Sequence, residues 1–390
     1  MNTINALKST PQIRVLAACV RGRVPLICKG QPGIGKSARA GALAERWGYF
    51  FESITGSNRD ASDFLGLPHE GTFTFSNGTT QPVQASLSLD WALRMNDYAQ
   101  NHPETGAFLF LDEFNTQEDS MKAMLRVLEE RFAGPDKFAP NVSIVAAMNP
   151  TSIATGGIDL PAPVANRFVH MDWDFDFDHW SEGFINGFEI IEEPRLDELT
   201  VNPTDADKAR IRASIVAFLK SHDDARLNCP TENIDEAAEA WPSPRMWTKA
   251  ANALIYLHPS DTAAQRLLLN GSVGKAAATA FIRWSEQHDL YDPEDVLDNP
   301  SIVDWKNGRP DRLYAMTLSV AALVKSRGDA DLWRKALEVF AYGSKQGRSD
   351  TAWIGARILF NSRPEGNVGI PKSVRDEFSE NMKAIGLIAA

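Results

Sequence analysis

The sequence predicts an α/β fold, with a parallel sheet covered by helices on both faces and a helical region after it. In the first half of the chain, apolar stretches of strand length alternate with segments of helical spacing, and strands joined through helices run parallel. These apolar stretches are residues 24–28, 48–52, 108–111 and 142–147. From about residue 204 the spacing is helical throughout. Ligands of such sheets bind at the carboxyl ends of the strands.

The elements between the strands have their own local signals. The alanine-rich residues 37–47 are able to form a helix directly after the first apolar stretch. Residues 72–83 have period two on both sides of Asn77-Gly78, which predicts a hairpin inserted between two helical pieces. This hairpin is either a plain surface feature or a functional one. Helical spacing returns at residue 89 and again over residues 121–128.

The C-terminal half has weaker signals. Ser243 and Pro244 have the residue types of an N-cap and a first helical position. Further helices are expected over residues 276–284 and from residue 311 to the end. Five aromatic residues in this last part are expected in the core rather than on a partner-binding surface: Trp305, Tyr314, Trp333, Tyr342 and Trp353.

Length and composition limit the kind of protein. The chain has 390 residues and a net charge of −11, and one core seldom serves more than about 250–300 residues, so at least two domains are expected. No apolar run approaches the roughly 20 residues of a membrane span, and no signal peptide is visible. Three scattered cysteines suit neither a disulfide framework nor a zinc site. These features predict a cytoplasmic protein.

The charge is unevenly distributed. Residues 1–50 contain eight basic side chains and one acid, whereas residues 171–207 contain twelve acids and only Arg195 as a basic residue. The basic segment suits a polyanionic ligand. The acidic segment would repel nucleic acid but would accept a basic surface of a protein partner or an adjacent subunit.

A phosphate-binding loop is the strongest motif. Residues 30–37 fit G-x-x-x-x-G-K-[ST] in full, after a predicted strand and before a predicted helix. Backbone N–H groups of such a loop surround phosphate oxygens, and the positive end of the helix points at them. Lys36 would reach the β- and γ-phosphates and Ser37 would bind Mg²⁺. The predicted nucleotide-binding residues of the loop are Gly30, Gln31, Pro32, Gly33, Ile34, Gly35, Lys36 and Ser37, and Arg245 is predicted to bind the nucleotide as well.

Acidic and amide side chains follow two further strands. Asp112 and Glu113 end the apolar run 108–111, where Asp112 would hold Mg²⁺, through water, and Glu113 would act as general base for the attacking water. The alternative is a strand that merely ends in solvated acids. Asn149 ends the next strand and could hold a water between Glu113 and the γ-phosphate, although Asn-Pro is also an ordinary turn signal.

Two arginines are candidates for stabilising the transition state. Arg167 precedes a further extended stretch, and Arg245 lies in the first turn of a predicted helix, where a cation opposes the helix dipole and a partner anion is therefore expected. Either could equally be a surface arginine. The acid–aromatic alternation over residues 172–178 favours a strand with its aromatic face buried and its acids in water over a cation site.

In this order the loop, Asp112-Glu113, Asn149, Arg167 and Arg245 resemble the motifs of AAA+ ATPases. Residues 61–67 followed by a hairpin, residues 124–131 and residues 146–150 are similar to the MoxR branch, a clade with an insert in helix 2. The resemblance covers about residues 1–290. One departure is Asn166 before Arg167, where the family often has aspartate, so Arg126 and Arg131 stay competitors for the role of Arg167.

This resemblance implies a P-loop NTPase fold of three parts. They are a nucleotide-binding α/β domain over residues 1–200 with the insert hairpin at about 70–86, a helical lid over 201–290, and a helical extension over 291–390. It also implies ATP and Mg²⁺ as cofactors and a homo-oligomeric, usually hexameric, ring. Asn149 would match sensor 1, Arg245 sensor 2, and Arg167 the arginine finger that reaches the next subunit.

The resemblance further implies a chaperone-like ATP hydrolase that remodels or assembles a protein client, such as a protein with a von Willebrand factor A domain. Two alternatives stay open. One is a nucleic-acid-linked NTPase motor, which the basic first 50 residues favour and the acidic segment disfavours. The other is a nucleotide-dependent scaffold without hydrolysis, which the intact Asp112-Glu113 pair disfavours.

Overall fold

A computed structural model describes residues 9–151, 153, 157–230, 232–286, 290–366 and 368–387. The N-terminal residues judged above for a signal peptide, and Lys8 in the charge count, lie outside these residues. The chain forms two compact units. The first contains residues 1–201 and 227–278, and the second contains residues 202–226 and 279–390. The division into nucleotide-binding domain, lid and extension stays a prediction.

The first unit is built on a five-stranded parallel sheet, which confirms the predicted α/β class. The strand order is β2-β5-β8-β1-β9, and every neighbouring pair is parallel. Its strands are β1 Leu26–Lys29, β2 Phe50–Thr55, β5 Ala107–Asp112, β8 Val142–Met148 and β9 Val169–Asp172. Strands β5 and β8 are buried along nearly their whole length, because both lie inside the sheet with helices on their faces.

The helices include those that the spacing predicts: over residues 37–47, from residue 89, over residues 121–128 and after residue 204. Their bounds are α1 Pro11–Gly22, α2 Lys36–Arg46, α3 Ser62–Leu65, α4 Asp90–Asn101, α5 Glu118–Glu129, α6 Ala162–Ala165, α7 Phe177–Asn186, α8 Leu196–Leu199, α9 Asp205–Ser221, α10 Ile234–Ala237, α11 Pro244–Leu254, α12 Thr262–Glu286, α13 Pro293–Asp298, α14 Pro310–Arg327, α15 Ala330–Lys345, α16 Ser349–Asn361 and α17 Lys372–Ala384. Ser243 is the N-cap of α11 and accepts a hydrogen bond from Met246 N, as its residue type predicts. Helix α12 is kinked at Gly274, where φ is 77°.

The inserted hairpin is present where the sequence predicts it. Strand β3 (Pro68–Thr74) pairs antiparallel with β4 (Thr80–Ser86). Gly78 has φ of 84° in the connecting turn, and Thr79 N donates to Asn77 Oδ1 at 3.0 Å. Two minor strands, β6 Phe132–Ala133 and β7 Asp136–Lys137, form a second antiparallel pair.

The prediction of one strand over residues 172–178 is wrong. Strand β9 ends at Asp172, and α7 begins at Phe177. The physical reason is Asp176, whose side chain accepts a hydrogen bond from His179 N and caps α7. Acid–aromatic alternation therefore continues across a strand end, an irregular segment and a helix start.

The second unit consists of helices around its own core. Trp305 and Trp333 are 2% and 1% exposed in that core, as predicted, whereas Tyr342 is 37% exposed and does not meet the same prediction. Among the described residues, no helix combines the length and apolarity that a membrane span requires.

Candidate functional site

The phosphate-loop motif connects the end of β1 to the start of α2. Gly33 and Gly35 have φ of 81° and 82°, a left-handed conformation that non-glycine residues rarely adopt. Nothing lies within 4 Å of a Cβ built on either residue, so backbone conformation, not space, requires glycine there. Helix α2 begins at Lys36 and directs its unpaired N–H groups toward this loop.

The side chain of Lys36 folds back onto the loop. Its side chain is buried, and Nζ donates to Gly30 O at 2.7 Å, to Gln31 O at 2.8 Å and to Asn149 Oδ1 at 3.0 Å. Burial lowers the pKa of Lys36, and the nearby negative charges of Asp112 and Glu113 oppose that shift. The structure thus brings together predicted residues from three parts of the chain: Lys36, the Asp112-Glu113 pair and Asn149.

Glu113 has an unusual backbone. Its φ is 50°, and a non-glycine residue in this region costs about 1–3 kcal/mol, a cost that is often found at functional sites. Its N–H donates to Asp112 Oδ1 at 2.9 Å. This conformation turns the chain sharply at the end of β5, and the two carboxylates lie at the same edge of the sheet as the phosphate loop.

Sequence reasoning missed Ser57. This residue follows β2, and its Oγ donates a hydrogen bond to the Glu113 carboxylate. Ser57 and Glu113 are 56 positions apart in sequence, and they meet because β2 and β5 are neighbours in the sheet. Only the strand order, which the sequence did not reveal, could have indicated this contact.

A cavity of about 600 Å³ opens at the loop, and its size is typical of small-molecule sites. The phosphate loop contributes Gly30, Gln31 and Ile34 to its lining, and the end of β8 and the residues after it contribute Met148 and Pro150. The cavity is therefore lined by the predicted phosphate loop and by the segment that contains the predicted Asn149.

Magnesium would need few protein ligands here. Mg²⁺ bound to a nucleotide keeps several waters and takes one or two protein oxygens beside the phosphates. The Ser37 hydroxyl and the Asp112 carboxylate are oxygen donors of the kind that this set requires. Among the described residues no group of three or more His, Cys, Asp or Glu could hold a metal ion by itself.

The two candidate arginines form a second group. Arg167 Nε lies 3.3 Å from Glu129 Oε1, and Arg167 Nη1 donates to Pro163 O. Arg245 is exposed at the start of α11. Its charge and that of Arg167 both act on Lys249, whose Nζ donates to Arg167 O at 2.6 Å.

The competing arginines have other contacts. Arg131 Nη2 donates to Ala139 O at 2.9 Å and to Val142 O at 2.8 Å, and burial lowers its pKa. Arg126 Nε pairs with Glu130 one turn later in the chain, at 3.1 Å. Arg131 is thus engaged in local backbone contacts, and Arg126 pairs with its own helix end.

Asn166, which precedes Arg167, makes two buried contacts. Its Nδ2 donates to Trp241 O at 3.0 Å, and its Oδ1 accepts from Ser243 Oγ at 2.6 Å. An aspartate could accept from Ser243 but could not donate to Trp241. Asparagine therefore fits this position and links the residue before Arg167 to the N-cap of α11.

Comparisons with known proteins give a curated relative. No protein-family model matches the chain. Over 167 residues, or 40% of the chain, it is 29% identical to midasin from Giardia intestinalis, and this region is 3% of the length of midasin.

Two solved structures are also similar. A candidate ATPase from Cytophaga hutchinsonii is 15% identical with a TM-score of 0.42, and covers 70% of this chain and 88% of its own. An MCM homolog from Methanopyrus kandleri is 11% identical with a TM-score of 0.33, and covers 70% of this chain and 53% of its own. At these scores neither structure adds to the fold described above.

Proposed function

We propose that this chain, an AAA+ protein related to midasin, hydrolyses ATP with Mg²⁺ in an oligomeric ring and uses the cycle to remodel or assemble a protein partner. The observation that carries the proposal is the hydrogen bond between Lys36 Nζ and Asn149 Oδ1 at 3.0 Å, beside Asp112 and Glu113. A phosphate cradle, a sensor amide and two carboxylates at one sheet edge are the parts that phosphoryl transfer requires.

The chemistry proposed is in-line attack of water on the γ-phosphate. Glu113 would take a proton from the water, and Asn149 would orient that water. Lys36 would hold oxygens of the β- and γ-phosphates, and Mg²⁺ beside Ser37 and Asp112 would neutralise further charge. Arg245 and the Arg167 of a neighbouring subunit would supply the remaining positive charge.

Ser57 has a place in this scheme. Its hydroxyl donates to the Glu113 carboxylate, so it fixes the orientation of the proposed base. The Glu113 carboxylate accepts one hydrogen bond from Ser57, and its other lone pairs can still accept a hydrogen bond from water. Ser57 is therefore proposed as a positioning residue for Glu113.

The proposal is tested by steady-state phosphate release and nucleotide binding by the purified protein. Glu113→Gln should bind ATP as the parent does and lose about 10²–10⁴-fold in turnover, the usual contribution of a general base. The matched control is Glu118→Gln, since Glu118 is exposed on α5 and pairs with Lys122; it should leave turnover unchanged. Undiminished turnover in Glu113→Gln would remove Glu113 from the mechanism.

The same measurements on the parent protein distinguish the two alternative functions, a nucleic-acid motor and a scaffold without hydrolysis. Turnover stimulated by DNA or RNA, with salt-dependent affinity, would favour a nucleic-acid motor. Nucleotide binding without phosphate release in the parent protein would favour a scaffold. A pull-down with Glu113→Gln held in the ATP state should retain the protein client, because arrested hydrolysis prolongs the bound state.

A further inference from the structure

Two cations share one oxygen of Glu129. Arg167 Nε lies 3.3 Å from Glu129 Oε1, and Lys249 Nζ lies 3.7 Å from the same atom. Glu129 is the last residue of α5, where the helix dipole disfavours a carboxylate. Its negative charge is thus stabilised by Arg167 and Lys249, not by its own helix.

Lys249 touches Arg167 a second time. Its Nζ donates to the Arg167 backbone carbonyl at 2.6 Å, and the preceding Asn166 is bonded to Ser243 at the start of the same helix α11. Helix α11 therefore contacts the Arg167 backbone through Lys249, and its N-cap Ser243 contacts the side chain of the preceding Asn166. The guanidinium itself is held by the contacts to Glu129 and Pro163 O.

The charge state of Lys249 changes near neutral pH. Burial lowers its pKa to about 8; Glu129 opposes this shift, and Arg245 and Arg167 add to it. Helix α1 and strand β9 also pack on α11. Their buried titratable groups have other contacts: Arg14 pairs with Asp261, and His170 Nε2 lies 2.8 Å from Ala165 O.

We propose that Glu129 and Lys249 are positioning residues for Arg167. They control how freely the Arg167 side chain leaves Glu129 and reaches the nucleotide bound by the neighbouring subunit. A charged Lys249 shares the Glu129 carboxylate and weakens its hold on the guanidinium. An uncharged Lys249 leaves the whole negative charge to Arg167, which then stays bound to Glu129. This inference rests on the proposed role of Arg167 in ATP hydrolysis.

The sign of the pH dependence follows directly. Lys249 loses its proton as pH rises through about 8, so kcat should fall above that pH while KM for ATP stays constant. Lys249→Met should lower kcat by about tenfold at pH 7, within the usual range of coupling between two sites, and should remove the alkaline decline. Lys249→Arg, which stays charged, should keep kcat and also lose the alkaline decline.

Combining Glu129→Gln with Lys249→Met tests whether Lys249 acts through Glu129. Without the carboxylate Arg167 loses its ionic contact and keeps the hydrogen bond to Pro163 O, so the double variant Glu129→Gln/Lys249→Met should recover the kcat that Lys249→Met loses. Recovery would not occur if Lys249 were merely needed for folding. Lys122→Met, an exposed lysine of α5, is the matched control and should keep the parent pH profile.

Two results would overturn the inference. One is a parent-like pH profile in Lys249→Arg, and the other is a double variant no more active than Lys249→Met. The variant Arg167→Ala distinguishes failure of this positioning role from failure of the proposed function. If Arg167→Ala lowers kcat while the Lys249 and Glu129 variants behave like the parent, only the positioning role fails; if Arg167→Ala has parent activity, the proposed role of Arg167 fails.

Discussion

At the scale of single residues, Lys36 holds the phosphate loop in shape and is also the proposed phosphate ligand. Its ammonium satisfies two loop carbonyls, at Gly30 and Gln31, and one side-chain oxygen, at Asn149. Each of these contacts is a charge-assisted hydrogen bond, and such bonds are about twice as strong as neutral ones. Lys36 therefore orders the loop through these contacts and would also bind the phosphates.

This double role predicts the behaviour of Lys36→Ala. We expect loss of ATP binding, because the variant lacks the phosphate ligand and the contacts that hold the loop in shape. Equilibrium titration with a fluorescent ATP analogue measures this effect. Lys122→Ala is the comparison and should keep the parent affinity, since Lys122 is exposed on α5 and pairs with Glu118. Nucleotide affinity in Lys36→Ala equal to that of the parent would count against the whole site.

At the scale of elements, the segment before Arg167 and helix α11 are joined by one buried amide. Asn166 is 4% exposed and uses both ends of its side chain, toward Trp241 O and Ser243 Oγ. Ser243 in turn caps α11 through Met246 N. The position of α11, with Arg245 and Lys249 on it, thus depends on a residue outside the helix.

Replacing this amide should cost stability. Asn166→Asp places a carboxylate against Trp241 O and removes the donor, and an unsatisfied buried group costs about 1–3 kcal/mol. The free energy of unfolding from urea denaturation measures the loss. Asn77→Asp is the control, because Asn77 is exposed and only accepts hydrogen bonds, from Thr79. A variant at position 166 as stable as the parent would show that the amide does not support α11.

Local sequence signals predicted the elements well where each signal lies within one segment. The phosphate loop, the ends of β5 and β8, the hairpin and the α11 cap all have such signals. Ser57, Glu129 and Lys249 have none, because their contacts depend on which strands and helices become neighbours. Residues 172–178 misled the prediction since a helix cap at Asp176 happens to keep the alternation of a strand.

At the scale of the whole molecule, the two charged zones partly neutralise each other. Arg39 of α2 pairs with Asp176 at 2.7 Å and lies 3.6 Å from Glu193, and Arg46 pairs with Glu192. The net charge of −11 therefore does not divide into a free basic surface and a free acidic one. Less of the basic segment is left for nucleic acid than the sequence indicates, and less of the acidic segment is left for a partner.

In the proposed ring, no single subunit would contain a complete active site. If Arg167 acts on the nucleotide of its neighbour, each active site needs residues from two chains in a head-to-tail arrangement. Loss of Lys36 then disables the site of the same subunit, and loss of Arg167 disables the site next to it.

Mixing two inactive variants tests this claim most directly. Lys36→Ala and Arg167→Ala subunits should each release little phosphate alone. Mixed in equal amounts, they should regain about a quarter of the parent rate, because random assembly in a head-to-tail ring gives that share of sites an intact loop beside an intact Arg167. A mixture as inactive as its two components would contradict a shared active site.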